Sequence, residues 1–89
     1  MIVHAVPSLS FDLDKVLLGL GRAVYEARKE KGLTQEQLAE QVDVHETYIS
    51  LIERGRRNPR WGVIRRISAT LGVPLPDLAR KAEELERKL

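Results

Sequence analysis

Cysteine is absent from this chain of 89 residues. Disulfides, thiol nucleophiles and cysteine-based metal sites are therefore excluded. Histidine is scarce: His4 and His45 stand far apart, without the spacing of a helical metal pair. No metal and no cofactor is expected. Aromatic residues make up only 4%, so the core should be aliphatic. No apolar run approaches the ~20 residues of a membrane span, and no membrane partner is expected. Residues 1–10 hold neither Lys nor Arg, unlike the charged start of a secretory signal. The expected location is cytoplasmic. No Walker-type loop is present, and Gly19-Leu20-Gly21 lacks the third glycine of a dinucleotide loop. Scattered Ser, His and Asp form no nucleophile motif, so neither an enzyme nor a small-molecule substrate is indicated.

The length suits one domain with one core. Net charge is only +2, but it is unevenly spread. Residues 1–53 carry five basic and nine acidic groups, and residues 67–89 carry four of each. Between them, Arg54, Arg56, Arg57, Arg60, Arg65 and Arg66 stand without a single acid. Such a knot suits a surface aimed at a polyanion. From charge alone, a solvated arginine-rich loop is an equal alternative.

Residues 1–11 lack a helical period and contain Pro7 between polar residues, which reads as a flexible arm. Asp12 is a candidate N-cap for a helix whose apolar face is Leu13, Leu17, Leu20, Val24 and Ala27, ending at Gly32. Gly19 and Gly21 weaken that helix but allow another to pack closely. Thr34 and Gln37 have capping-box spacing ahead of Leu38, Ala39 and Val42. Asp43 falls at a turn, His45 is positioned as the next cap, and Ile49 and Ile52 mark a third helix. A fourth runs through Trp61, Ile64, Ile67 and Leu71, with Trp61 read as core. Pro76 and Asp77 open a fifth that runs toward Leu89. No useful stretch alternates with period two, so the class is all-α.

Two short helices joined by a tight turn form a helix-turn-helix, whose second helix enters the DNA major groove. The residues carry a resemblance as well. Gly32-Leu33-Thr34-Gln35-Glu36-Gln37-Leu38-Ala39-Glu40, then Tyr48-Ile49-Ser50, then Ile52 to Pro59, are similar to the Xre family. These are lambda-repressor-like, Cro/CI-type transcriptional regulators, and small restriction–modification controller proteins are similar in length. The resemblance covers residues 13 to about 78. It implies a five-helix lambda-repressor-like bundle over residues 12–78, preceded by the arm and followed by a helical extension over 79–89. It also implies double-stranded DNA as partner.

At ~100° per residue, Ile49 and Ile52 face the core while Thr47, Ser50, Leu51 and Arg54 point away, flanked by Glu46 and Tyr48. The resemblance makes Glu46, Thr47, Ser50, Leu51 and Arg54 the base-reading candidates. It assigns Thr34, Gln35, His45, Tyr48, Arg56, Arg57, Asn58 and Arg60 to the DNA backbone. It further implies a structural salt bridge between Arg28 and Glu53. Several positions depart from the family pattern. Asp43 replaces a turn glycine, His45 a Ser or Thr cap, and Arg60-Trp61 a Ser-Leu pair. Glu46 is an unusual acid for a groove surface.

Leu75, Leu78, Ala82, Leu85 and Leu89 repeat in heptad fashion. Leu75 and Leu78 are expected to close the core. The stripe Leu78, Ala82, Leu85 and Leu89 is expected to form a homodimer surface, with a frayed end as the alternative. Function is thus expected to be sequence-specific regulation from a palindromic operator bound by a homodimer. The alternative is a protein-interaction module, such as an antitoxin-like partner.

Overall fold

The computed structural model describes residues 11–89, so all but Phe11 of the arm expected over residues 1–11 lies outside them. The described residues form five helices and no strand: α1 (Leu13–Lys31), α2 (Gln35–Val42), α3 (Glu46–Glu53), α4 (Trp61–Leu71) and α5 (Leu75–Arg87). None is long and apolar enough to cross a membrane.

Each boundary has a local cause. Asp12 accepts a hydrogen bond from the Lys15 amide and starts α1. Gly32 and Gly72 take left-handed conformations and end α1 and α4. Thr34 and Gln37 close a reciprocal capping box at α2, two orphan amides satisfied at once. Asp43 ends α2 with φ 61°, a left-handed geometry that Asp tolerates better than most side chains. The chain then turns within three residues, and His45 caps α3 through Nδ1, which accepts from the Thr47 amide at 3.1 Å.

The core is aliphatic. Val24 of α1, Leu38 and Val42 of α2, Ile49 and Ile52 of α3, Ile67 of α4 and Leu78 of α5 are the largest fully buried side chains. α1 lies along α5 on one side and against α3 on another. Its two interior glycines make both approaches possible. A methyl on Gly21 would lie 2.7 Å from the Glu53 carbonyl oxygen, and one on Gly19 would lie 2.6 Å from the Ala82 carbonyl oxygen.

Three expectations need correction. Trp61 is not core: it is 64% exposed. The inward stripe of α4 is Val63, Ile64, Ile67 and Leu71, and position 61 lies about 90° from its centre in the terminal turn. Leu13 also falls outside the core, 47% exposed at the first residue of α1. The heptad stripe is largely consumed within the chain. Leu78 is 1% exposed, while Ala82 and Leu85 pack half-buried against the core, because Gly19 lets α5 settle onto α1. Leu78 is therefore removed as a dimer residue, and only Leu89 of the stripe remains free, at 58% exposure.

Candidate nucleic-acid interface

The outer face of α3 is built by subtraction. Ile49 and Ile52 are sunk in the core, which turns Glu46, Thr47 and Arg54 outward into solvent. Ser50 and Leu51 lie half-buried between them. Arg54 folds back along its own helix, its Nε donating to the Ser50 carbonyl at 3.4 Å.

What holds α3 at its angle is a buried polar node. Arg28 Nε donates to Glu53 Oε2 at 2.6 Å and Nη2 to Oε1 at 2.9 Å, a bidentate pairing. Arg28 Nη1 donates to the Leu33 carbonyl at 2.8 Å. The two side chains are only 7% and 3% exposed. Hydrogen bonding to Glu53 raises the Arg28 pKa above its ordinary value, outweighing the opposing effect of burial. The node ties α1 to the C-terminal end of α3.

Gln35 joins the node, which spacing alone does not reveal. Its Nε2 donates to Glu53 Oε1 at 2.9 Å. One amide hydrogen is thus committed internally, leaving the other and the amide oxygen for a ligand. All three helices α1, α2 and α3 meet at the carboxylate of Glu53. The Thr34 hydroxyl oxygen accepts from the Gln37 amide at 3.0 Å, but its own hydrogen is uncommitted. His45 uses Nδ1 for capping, leaving Nε2.

The arginine loop leaves α3 under equally definite control. The Arg56 amide donates to the Leu51 carbonyl at 2.8 Å. Gly55, with φ 71°, turns the chain against Leu18. Tyr48 is half-buried. Its hydroxyl accepts from the Arg60 amide at 3.3 Å, and the Arg57 guanidinium lies over its ring at 5.4 Å. Arg56, Arg57, Asn58 and Arg60 are all exposed. Among the described residues none of these arginines is paired with a carboxylate. Arg65 stacks over Trp61 at 5.7 Å; their i,i+4 spacing is the signal in the sequence for that contact.

A short helix capped after a tight turn, open on one face and followed by unpaired arginines, defines a helix-turn-helix module. Residues 24–78 match the helix-turn-helix family model. The chain is 44% identical over 66 residues to the control protein C.BamHI of Bacillus amyloliquefaciens, covering 73% of this chain and 82% of that one. Among solved structures, the clp gene regulator ClgR of Corynebacterium glutamicum superposes with a TM-score of 0.80 at 29% identity, over 82% of this chain and 78% of that one. The restriction-modification controller protein C.AhdI of Aeromonas hydrophila gives 0.65 at 30% identity, over 74% and 94%. The chain belongs to the helix-turn-helix family of the Xre type, whose members are DNA-binding transcriptional regulators.

Proposed function

We propose that this chain is a sequence-specific transcriptional regulator that occupies a palindromic operator as a homodimer, as a restriction–modification controller would. The observation that carries the reading is the two-sidedness of α3: Ile49 and Ile52 buried, Glu46, Thr47 and Arg54 exposed, and the unpaired loop arginines directly after it.

In this reading α3 enters the major groove. Thr47 and Leu51 meet thymine methyls, Glu46 accepts from a cytosine amino group, and Ser50 and Arg54 contact base edges. Arg56, Arg57, Asn58 and Arg60 hold one strand's phosphates. Thr34, Gln35, His45 and Tyr48 complete the backbone contacts from the start of each helix. The Arg28–Glu53–Gln35 node fixes the entry angle. No bond is made or broken; regulation is by occupancy. Two copies related by a two-fold axis would read half-sites about 34 Å apart.

The test is selection from random duplexes, followed by affinity measurement at several salt concentrations. If each copy neutralises ~4 phosphates, log K falls with log salt at a slope near −3.6 per copy. Enrichment of an inverted repeat supports the reading. Absent or salt-insensitive duplex binding defeats it. Co-purification of an unrelated chain at fixed stoichiometry would turn the reading toward a protein-interaction module.

A further inference from the structure

We infer that the groove between the first half of α1 and the ends of α3 and α5 binds a medium-chain carboxylate, and that this ligand opposes DNA by taking Arg54. The site stands on its own geometry; its consequence for DNA rests on the proposed reading of α3.

The groove has a volume of about 450 Å³, inside the roughly 300–1,000 Å³ of small-molecule sites. Leu18, Leu85 and Leu89 line it together with Gly19, the position at which α5 closes on α1. Leu18 is 43% and Leu89 58% exposed. Two large apolar side chains left open by the fold thus share one concavity. An alkyl chain laid along them would remove that surface from water.

Charge selects the ligand. Arg22, Arg54 and Lys88 also line the groove, with Glu53 as the acid beside them. The Glu53 side chain is only 3% exposed, and its two oxygens are engaged by Arg28 and Gln35, so its charge is already matched. Arg54 and Lys88 have no carboxylate partner among the described residues, and Arg22 commits its Nε to Glu26 at 3.2 Å. An apolar lining beside three cations fits an alkyl chain that ends in a carboxylate, which takes charge-assisted hydrogen bonds from them. Other occupants fit less well. A phosphate strand is charged along its whole length and leaves Leu18 and Leu89 unmet. A second copy seated groove on groove would set the three cations against themselves. Residues 1–10 hold no acid to meet them.

Arg54 links the groove to α3. Its Nε turns back to the Ser50 carbonyl at 3.4 Å, which leaves Nη1 and Nη2 for one anion or another. A carboxylate held in the groove claims the guanidinium that the proposed reading gives to a base edge. By linkage, duplex and ligand then weaken each other equally.

The experiment titrates the full chain, without DNA, with sodium decanoate below its micellar range and follows the backbone amides by proton–nitrogen correlation NMR. Saturable shifts centred on Gly19, Leu85 and Leu89 are expected. Octanoate, two methylenes shorter, should bind about tenfold more weakly. Decylamine, with the same chain and the opposite charge, should give no such shifts. Lys88→Glu should weaken decanoate about threefold and leave duplex affinity unchanged when decanoate is absent. Anisotropy of a fluorescein-labelled duplex carrying the selected repeat then reads the coupling. With decanoate at about ten times its Kd, duplex affinity should fall by up to about elevenfold, the limit for mutually exclusive ligands. Absent or non-saturable shifts, or an equal response to decylamine, overturn the site. Groove amides that shift with protein concentration, or on removal of residues 1–10, assign the groove to a second copy or to that segment and also overturn it. Decanoate seated in the groove with duplex affinity unchanged overturns the role given to Arg54. If no duplex binds, the DNA reading falls, while the titration without DNA still decides the site.

Discussion

Arg28 and Arg57 are the same side chain in opposite settings. Arg28 is buried, and its Nε, Nη1 and Nη2 are each committed to an internal acceptor. Arg57 is exposed, stacked on Tyr48, and without a carboxylate partner among the described residues. The first arrangement satisfies a charge removed from water, which is tolerable only when every donor is met. The second leaves a charge in water, where pairing would contribute little to stability and where it stays available to a phosphate. The buried node holds shape and the loop offers charge, so substitutions in the two regions should separate stability from binding.

The largest effect is expected at the node. Glu53→Ala strands the Arg28 charge and should lower unfolding free energy by about 3–5 kcal/mol, measured by urea denaturation followed by circular dichroism. A loss below about 1 kcal/mol would mean that the pair is not shielded as described. Gly21→Ala comes next. Its methyl would press on the carbonyl of Glu53, and backbone yields less readily than a side-chain tip, so a loss of up to about 3 kcal/mol is expected in the same assay. Arg57→Ala should leave unfolding within about 0.5 kcal/mol of the parent. It should weaken every duplex alike and reduce the salt slope by about 0.9; a drop in stability instead would erase the distinction between the regions. The smallest change is expected for Thr47→Ala. It should shift preference at one base pair by about 1 kcal/mol while leaving stability and the salt slope alone, read by competition between single-substitution duplexes.

Local features were legible in the sequence. Thr34 with Gln37, Asp12, His45 and Gly32 work through neighbours within a few residues, so spacing alone identifies them. The helix-turn-helix was legible for the same reason, since two capped helices and their turn occupy one short stretch. Long-range geometry was less so. Gln35 and Glu53 are 18 residues apart, and nothing at either position announces their hydrogen bond. Trp61 read as core because a large apolar residue near a helical stripe usually is, but its place at the end of α4 puts the ring beyond the core's edge. The heptad stripe of α5 read as a surface for another chain because periodicity identifies an apolar face without saying what covers it. Here the cover is α1, by way of Gly19.

The two glycines of α1 carry a further consequence. Gly21 seats the end of α3 and Gly19 seats α5, so the helix is notched on two sides only two residues apart. Inserting a single residue between them would rotate one notch by about 100° relative to the other. Either α3 or α5 would then meet a side chain where a gap had been. Residues can be exchanged along much of the exposed side of α1, but this short interval tolerates no change of length.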